Sequence, residues 1–382
     1  MAVKRVLNVA LIGYKFMGRA HSNAWRQAPH FFDLPVTPRL KTIVGRDKPA
    51  VRKAATSLGW ETYETDWRRI VKDPEIDVVD ICTPNDSHGE IALAAAKAGK
   101  AILCEKPLAR DVAEAERMTQ AVKRAGIANM VCHNYRRIPA IGLAKQMIDR
   151  GEIGDRIFHC RARYAQDWIV DPKFPLVWRL QTKTAGSGAL GDIFSHIVDL
   201  SRYLIGEFES ICATTETFIK QRPIKLSRSK TSRMGKVNVD DAVTAMGRFK
   251  NGGLFNLEAT RFAPGRKNSI TLEINGSDGS LFFDLEEMNR LKFFSRRDRT
   301  GEQGFRDIIV TESSHPYVKQ WWPPGHIIGY EHTFVHTIAD FVTAVATNKP
   351  VQPDFADGLQ TQRVLDAALR SAHNNRWITV KR

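Results

Sequence analysis

Short hydrophobic runs alternate with helical patterns over the first third of the chain. Runs rich in β-branched and aliphatic residues predict strands at Val6–Ile12, Leu40–Val44, Asp77–Thr83, Ala101–Cys104 and Asn129–His133. The segments between them predict helices at Met17–Gln27, Pro49–Leu58, Gly89–Ala98 and Val112–Ala125. Strands that alternate with helices are joined by right-handed crossovers and form a parallel sheet. Because strands such as Val78–Ile81 are nearly apolar on both faces, helices are expected on both sides of this sheet.

The pattern becomes mostly strand–turn–strand after about residue 135. A helix is predicted at Ala140–Arg150 and a strand at Arg156–Tyr164. Turn sequences at Asn251-Gly252 and at residues 276–279 each separate two alternating runs, which is typical of β-hairpins. The second half is therefore predicted to be an α/β domain with a mostly antiparallel sheet.

The length of the chain indicates two domains. Its 382 residues exceed the ~250–300 residues at which single hydrophobic cores stop growing. The change from alternating strands and helices to strand–turn–strand patterns, near residue 135, marks the domain boundary. We therefore predict domains over residues 1–134 and 135–382. The last helix, near Gln360–His373, is expected to pack back on the body of the protein.

The composition is that of an ordinary globular protein, with 43% hydrophobic and 26% charged residues. No stretch approaches the ~18 consecutive apolar residues of a membrane span, and the N-terminus lacks the pattern of a signal peptide. None of the five cysteines forms a C-x-x-C pair, so neither a zinc site nor a disulfide framework is indicated. Free thiols are typical of a reducing cytosol, so we expect a cytoplasmic protein.

The charge of the chain is strongly positive, at +15. Such a charge favours anionic partners such as nucleotides and phosphates. Seven basic residues and no acidic one lie between Lys220 and Lys236. A run of this kind is typical of a solvated surface loop, with anion binding or a subunit contact as alternatives. Because the run contains no aromatic residue and no nucleic-acid module is recognisable, no nucleic-acid partner is expected.

A glycine turn directly follows the first predicted strand and opens a helix. It consists of Gly13, Tyr14, Lys15, Phe16, Met17 and Gly18. In this context such a turn lets the backbone approach a pyrophosphate at the N-terminus of the helix. Gly13 and Gly18 occupy the first and third glycine positions of a dinucleotide-binding motif, whereas Lys15 replaces the second. The turn thus predicts a dinucleotide site, with an ordinary helix-opening turn as the alternative.

The end of the second strand bears on the choice of cofactor. An acidic residue at this position binds the ribose 2′-hydroxyl of NAD, and an arginine accommodates the 2′-phosphate of NADP. Gly45 aligns with the acidic position, and Arg46 follows it. This arrangement favours NADP or the use of both cofactors. Asp47 leaves NAD open, because the alignment can shift by a residue or two.

Two polar segments follow later strands, where an open parallel sheet binds its ligands. The first segment contains Thr83, Pro84, Asn85 and His88. The second is Glu105-Lys106-Pro107. The Lys106 ammonium is able to bind a substrate hydroxyl and to support proton transfer. A purely structural role for this lysine is the alternative.

A possible acid–base pair follows the glycine-rich stretch at residues 186–191. Asp192 and His196 are four residues apart on a predicted helix, so their side chains share one face. Histidine titrates near neutral pH, and a neighbouring carboxylate orients the ring. The pair therefore predicts acid–base chemistry, with an ordinary helix-surface pair as the alternative.

A second group of histidines has helical spacing as well. His332, His336 and Asp340 stack on one face of a predicted helix. Phe334 and Ile338 between them indicate a plain amphipathic helix rather than a metal site. We therefore predict no metal ion in this protein.

Taken in order along the chain, these motifs resemble those of the glucose–fructose oxidoreductase/inositol dehydrogenase (Gfo/Idh/MocA) family. The matching segments are Gly13…Gly18 with Ala20-His21, Thr83…His88, Glu105-Lys106-Pro107, Trp178-Arg179, Asp192…His196, Glu273…Gly276…Gly279 and Asp357-Gly358. The resemblance implies a Rossmann domain followed by an α/β domain with an open, mostly antiparallel sheet. It further implies hydride transfer between NAD or NADP and a sugar, anhydrosugar or polyol hydroxyl carbon.

The resemblance also implies roles for individual residues. Lys106 is expected to contact the substrate and the nicotinamide ribose, while Asp192 and His196 bind and activate the reacting hydroxyl. We expect His196 to be the main acid–base group, with Lys106 as the rival for that role. The other implied cofactor-binding residues are Gly13, Tyr14, Lys15, Phe16, Met17, Gly18, Gly45, Arg46, Thr83, Pro84, Asn85, His88, Glu105, Asn134, Trp178 and Arg179.

The expected substrate wall resembles that of the anhydrosugar dehydrogenases within the family. Trp168 is expected to stack on a sugar face, and Arg136 and Gln166 to contact hydroxyls. The anhydrosugar dehydrogenases of the family favour NAD. Lys15 and Arg46 depart from the residues expected for that cofactor. The family also implies a homodimer or homotetramer built through the open face of the second sheet. A glycoside-acting enzyme that retains its cofactor and a non-catalytic NAD(P)-binding sensor are the alternative functions.

Overall fold

The computed structural model describes residues 4–224 and 233–381 of the chain. These residues form two compact units. The first comprises the described residues up to Arg137 together with Ile328–Leu359, and the second comprises Ile138–Ile327 with the described residues from Gln360 onward. The predicted domains, in contrast, are the continuous ranges 1–134 and 135–382. The segment Ile328–Leu359, however, belongs to the first unit rather than to the predicted second domain.

The first unit is built on a six-stranded parallel sheet. In sheet order its strands are Thr62–Glu64, Thr37–Val44, Val6–Ile12, Val78–Ile81, Ala101–Glu105 and Asn129–Cys132. Its helices are Phe16–Phe31, Lys48–Leu58, Trp67–Lys72, His88–Lys97, Val112–Ala125 and Tyr330–Thr347, with short 3₁₀ turns at Asn85–Ser87 and Asn134–Arg137. The predicted parallel sheet of the Rossmann type is confirmed, and its strand order reverses beside the first strand, which is where such sheets bind ligands.

Local signals explain where these helices begin and end. The Asp111 carboxylate accepts a hydrogen bond from the backbone N–H of Glu114, and the helix Val112–Ala125 ends at Gly126. Asp47 caps Lys48–Leu58 in the same way. The helix Tyr330–Thr347 returns to this unit because its apolar side packs on the helix Phe16–Phe31.

The second unit contains a nine-stranded sheet. In sheet order its strands are Arg306–Ile309, Arg290–Ser295, Gly279–Asp284, Ser269–Gly276, Ile157–Ala165, Leu254–Thr260, Ala242–Phe249, Phe208–Glu216 and Ile378–Thr379. All neighbouring pairs are antiparallel except Leu254–Thr260 with Ile157–Ala165. The predicted, mostly antiparallel sheet is thus confirmed. A separate hairpin pairs Gln221–Pro223 with Met234–Lys236.

The described residues of this unit also form helices. They are Pro139–Asp149, Thr182–Ala185, the π-helix Leu190–Phe194, Ser195–Leu204 and the last helix, Phe355–Asn374, which belongs to this unit from Gln360 onward. Short 3₁₀ turns lie at Trp178–Leu180, Leu285–Glu287, Thr300–Glu302 and Val318–Gln320. Buried and exposed residues alternate along Ala242–Phe249, so one face is packed and the other is open. Ser371 on the last helix accepts a hydrogen bond from the backbone N–H of Ala213, at 2.9 Å. Among the described residues, no helix has the length and apolarity that crossing a membrane requires.

Candidate active site

The glycine turn of the first unit leaves room only for backbone. Gly13 has a φ of +106°, and a Cβ built there would lie 2.5 Å from the carbonyl oxygen of Cys82. A Cβ on Gly18 would lie 1.9 Å from the carbonyl oxygen of Gly13. The helix Phe16–Phe31 has neither a side-chain cap nor an acidic residue in its first turn, as far as the described residues go. Its first N–H groups therefore suit a pyrophosphate, and the turn fits a dinucleotide.

This close approach makes Gly13 a sensitive position. We expect Gly13→Ala to weaken NADH binding strongly and to destabilise the fold, because a Cβ cannot coexist with the Cys82 carbonyl. Gly99→Ala is a matched control, since Gly99 also has a positive φ but a Cβ there meets no atom within 4 Å. The control should lose only about 1–2 kcal/mol, the cost of the left-handed backbone. Fluorescence titration with NADH and urea unfolding measure the two effects, and equal losses in both variants would contradict the expectation.

The end of the second strand carries the cofactor-selecting segment. The ring of Tyr14 packs against Gly45, which leaves no room for a larger side chain there. Asp47 accepts a hydrogen bond from the Ala50 N–H at 3.0 Å, so its carboxylate serves as a helix cap. Arg46 is exposed. The Asp47 carboxylate is therefore engaged by the helix that follows it, whereas the Arg46 side chain is open to solvent.

The next two predicted segments are joined by a buried histidine. His88 is fully buried, and its ring nitrogens lie 3.1 Å from the carbonyl oxygen of Pro107 and 3.0 Å from that of Thr83. This imidazole ties together the loops that follow two adjacent strands of the sheet. Asn85 is buried in the 3₁₀ turn after Pro84. Lys106 is half-buried and precedes a cis proline.

A cluster of buried charged side chains surrounds His21. The sequence analysis named His21 and Glu105 as motif residues but did not predict that they form a cluster. The His21 ring lies between two carboxylates, with Nδ1 2.9 Å from Asp80 Oδ2 and Nε2 2.9 Å from Glu105 Oε1. Trp25 donates its indole N–H to Asp80 at 2.7 Å. Glu105 also accepts a hydrogen bond from the backbone N–H of Lys106, at 3.2 Å. Since a neutral imidazole carries one N–H, donation to both carboxylates requires the protonated ring.

The charges in this cluster shift the pKa values of its members. Burial lowers the pKa of His21, but the neighbouring Asp80 carboxylate and the thiols of Cys82 and Cys132 together raise that pKa well above its usual value. Burial raises the pKa of Glu105, but the hydrogen bond and charge of His21, together with the charge of Lys106, leave that pKa below its ordinary value. The cluster is therefore an imidazolium with two carboxylates.

The other predicted residues of the first unit have buried structural contacts. Asn134 donates its side-chain N–H to Thr333 Oγ1 at 2.8 Å. Arg136 is buried in the same 3₁₀ turn, and its guanidinium lies 3.7 Å from the Asp357 carboxylate. The substrate contact expected of Arg136 stays a prediction.

The second histidine group has structural partners within its helix and its unit. His336 lies 2.8 Å from the carbonyl oxygen of Arg137, and Asp340 accepts a hydrogen bond from the Arg137 guanidinium at 2.9 Å. Burial lowers the pKa of His336 to about 3. His332 accepts a hydrogen bond from the N–H of Gly329 at the start of the helix. The predicted amphipathic helix accounts for all three side chains.

In the second unit the acid–base pair lies at a change of helix type. The sequence predicted one continuous α-helix, but Leu190–Phe194 is π-helical and only Ser195–Leu204 is α-helical. The buried Asp240 carboxylate binds the backbone at the start of this helix. It accepts hydrogen bonds from the backbone N–H groups of Gly188 and Leu190, at 2.7 and 2.6 Å, and so fixes where the helix begins. Short π-helical stretches are frequent at functional sites.

Asp192 and His196 have different surroundings within this unit. The Asp192 carboxylate accepts a hydrogen bond from the guanidinium of Arg261 at 2.8 Å and is 23% exposed. His196 is 6% exposed, and its ring lies 5.7 Å from that of Tyr164. Burial raises the pKa of Asp240 despite its hydrogen bonds to the backbone. The Asp192 carboxylate is thus partly open, whereas the His196 imidazole is buried.

The predicted substrate residues of the second unit form one connected group. Trp168 donates its indole N–H to Gln166 at 2.9 Å, and Gln166 donates to Asn268 at 2.8 Å. The Arg261 guanidinium lies 5.4 Å from the Trp168 ring. Trp178 is stacked by the guanidinium of Arg179, at 4.3 Å, in a separate 3₁₀ turn.

Sequence reasoning missed two residues of this region. Asp240 and Arg261 lie at the ends of strand segments, and the available signal was a charged residue adjoining an otherwise alternating apolar run. It also misjudged part of the basic segment, since Arg222 is fully buried and donates to the carbonyl oxygens of Asp171 and Ile169. Residues 225–232 of that segment lie outside the described residues.

Two family models match most of this chain. One, described as the oxidoreductase family with an NAD-binding Rossmann fold, matches residues 7–133, and the other, described as the GFO/IDH/MocA C-terminal domain, matches residues 141–282. The chain is also 46% identical to levoglucosan dehydrogenase of Pseudarthrobacter phenanthrenivorans over 384 residues, which covers 98% of each protein. The chain belongs to the Gfo/Idh/MocA oxidoreductase family.

Solved structures are similar over the whole length of this Gfo/Idh/MocA oxidoreductase. The complex of levoglucosan dehydrogenase with NADH and levoglucosan has a TM-score of 0.95 at 46% identity, over 99% of this chain and 100% of that chain. An oxidoreductase domain protein from Kribbella flavida has a TM-score of 0.95 at 52% identity, with the same coverage. The predicted family, fold class and nicotinamide-dependent oxidoreductase function are thus confirmed.

Proposed function

We propose that this protein is a dehydrogenase of levoglucosan or a closely similar anhydrosugar or pyranose. The observation that carries the proposal is full-length similarity to levoglucosan dehydrogenase combined with the presence of Lys106, Asp192 and His196. A non-catalytic sensor has no need of such a lysine, carboxylate and imidazole. The Trp168–Gln166 group supports a sugar, because an indole face stacks on pyranose C–H groups while an amide binds hydroxyls.

The chemistry is oxidation of a secondary alcohol to a ketone. A bound nicotinamide cofactor supplies the hydride acceptor, and the residues of the glycine turn hold its pyrophosphate. His196 accepts the hydroxyl proton as the C–H bond breaks. Asp192 orients the hydroxyl group, and the Lys106 ammonium donates a hydrogen bond to its oxygen. Both the hydride and the proton thus leave the substrate to defined acceptors.

The cofactor is proposed to be NAD, with NADP also accepted. A relative at 46% identity has been solved with NADH, which supports NAD. The exposed guanidinium of Arg46 at the end of the second strand supports tolerance of a 2′-phosphate. We further propose a cytoplasmic location. We also propose a homodimer or homotetramer, since apolar side chains such as Phe158 and Met246 are exposed on the sheet of the second unit.

Arg46 offers a direct test of this cofactor choice. We expect Arg46→Ala to raise KM for NADP about tenfold, the low end for a hydrogen bond to a charged group, while KM for NAD hardly changes. Arg52→Ala, which removes an exposed arginine from the following helix, should alter neither value. Initial rates with each cofactor at saturating sugar give the comparison. An equal change of both KM values in Arg46→Ala would argue against a contact with the 2′-phosphate.

The function itself is tested by following the absorbance of reduced nicotinamide. NAD and NADP are each offered with levoglucosan, glucose, myo-inositol and other pyranoses. Turnover that is highest with levoglucosan or a related anhydrosugar supports the proposal. Normal binding of cofactor without turnover in either direction would overturn it in favour of the sensor. Cofactor that stays bound throughout purification would point instead to internal redox cycling.

A further inference from the structure

Arg261 is the most heavily buried cation beside the proposed acid–base pair. Its side chain is fully buried, and removing a guanidinium from water costs several kcal/mol unless good partners repay it. Nη2 donates to Asp192 Oδ2 at 2.8 Å and to the carbonyl oxygen of Gly188 at 3.0 Å. The guanidinium thus binds both the partly open carboxylate and the loop that begins its helix.

The other carboxylates nearby accept their hydrogen bonds from backbone N–H groups. Asp240 is occupied by the backbone N–H groups of Gly188 and Leu190. Asp241 accepts from the backbone N–H of Phe218 at 2.8 Å. A guanidinium buried only to neutralise these acids would hydrogen bond to them. Among the described residues, the carboxylate that accepts a hydrogen bond from the Arg261 side chain is that of Asp192.

The same guanidinium also lies over the ring of the expected sugar-stacking residue. The Arg261 guanidinium carbon is 5.4 Å from the centre of the Trp168 ring, a distance suited to a cation–π contact. From Trp168, hydrogen bonds lead through Gln166 to Asn268. Asn268 accepts from the Tyr164 hydroxyl at 2.6 Å, and the Tyr164 ring packs on His196.

These contacts form a chain that starts at Asp192 and returns to His196. We propose that Arg261 is a positioning residue, which fixes the Asp192 carboxylate and couples it to the Trp168 face that stacks on the sugar. The inference rests on the proposed function. A lysine is not an equivalent replacement, because its compact ammonium lacks the flat guanidinium that lies over the Trp168 ring while one of its nitrogens donates to Asp192.

Arg222 provides a matched control for the test. It is also a fully buried arginine of the second unit and stacks on an aromatic ring, Phe174, at 5.9 Å. Its hydrogen bonds among the described residues go to the backbone carbonyl oxygens of Asp171, Phe174 and Ile169. Loss of either arginine removes a comparable buried cation, whereas only loss of Arg261 releases Asp192.

The experiment compares Arg261→Ala, Arg261→Lys, Arg222→Ala and Arg222→Lys with the unaltered enzyme at a temperature where all are folded. We expect the Arg261 variants to lose about 10²-fold in kcat, as a misplacement of about 1 Å causes, with NADH affinity unchanged. Ethylguanidinium should partly restore the turnover of Arg261→Ala and leave Arg222→Ala unaffected. Equal kcat losses in both pairs of variants, or the absence of rescue, would overturn the proposal.

Positioning is also measured without turnover. A crystal structure of Arg261→Lys is expected to show the Asp192 carboxylate displaced, whereas Arg222→Lys leaves it in place. An unmoved Asp192 in Arg261→Lys would overturn the positioning role even if the enzyme oxidises sugars. An unaltered enzyme that oxidises none of the sugars would contradict the proposed function, while the crystal structure would still decide the role of Arg261.

Discussion

Replacing His196 with alanine is expected to lower kcat about 10²- to 10⁴-fold, the range that a positioned acid–base group contributes. The buried ring is the proposed acceptor of the hydroxyl proton, and alanine leaves no group that could take it. NADH affinity should stay unchanged, because the glycine turn, which is proposed to hold the pyrophosphate, belongs to the other unit. Initial rates with the best sugar and fluorescence titration with NADH measure these two quantities.

Two further variants identify the proton acceptor. His373→Ala removes an exposed histidine from the last helix and should leave kcat unchanged. Lys106→Ala should lower kcat and raise KM for the sugar, since the Lys106 ammonium is proposed to donate a hydrogen bond to the reacting oxygen. If His196→Ala keeps a tenth or more of the activity while Lys106→Ala abolishes it, the lysine is the base. The two alternatives left open by the sequence are separated in this way.

Replacing His21 with alanine is expected to reduce the free energy of unfolding by about 3–5 kcal/mol, because it leaves buried carboxylates unpaired. Asp80 and Glu105 each lie 2.9 Å from the ring and are almost inaccessible to water. His30→Ala changes an exposed histidine on the same helix and should have little effect. Urea unfolding followed by tryptophan fluorescence gives both values, and similar values for the two variants would contradict the expectation.

The His21 cluster also predicts how the free energy of unfolding that is lost in His21→Ala depends on pH. The folded-state pKa of His21 is raised, so its contribution is complete below the unfolded value of 6.5 and is lost as pH rises through the folded value. The folded-state pKa of Glu105 is lowered, so its contribution is complete above 4.5 and is lost as pH falls through the folded value. The difference between the unaltered protein and His21→Ala should therefore be largest between pH 4.5 and 6.5. A difference that keeps growing at alkaline pH would contradict the imidazolium assignment.

The His21 cluster and Arg261 illustrate one limit of sequence reasoning. Both consist of charged groups that lie far apart in the chain, and their partners become neighbours only when strands pair. His21 and Glu105 are separated by 84 positions, and Arg261 and Asp192 by 69. Desolvation makes such pairs energetically decisive, yet burial of a charged residue leaves no periodic signal in the sequence.

The sequence by itself determined the features that depend on neighbouring residues. The alternation of strands and helices, the bounds of the helix Val112–Ala125 and the glycine turn after the first strand are local patterns, and the structure has them where they were predicted. The ordered series of motifs from Gly13 to Gly358, which includes Lys106, Asp192 and His196, indicated the family.

Only the tertiary structure decided where separated segments meet. The segment Ile328–Leu359 belongs to the first unit, because an apolar face of its helix packs on the helix Phe16–Phe31. The start of the helix that carries Asp192 is π-helical. There Asp240, which comes from a distant segment, accepts hydrogen bonds from backbone N–H groups. The tertiary structure also buried Arg222 within a run of basic residues that is typical of a surface loop. In each case long-range packing and desolvation, which depend on the folded chain as a whole, outweighed the local preference.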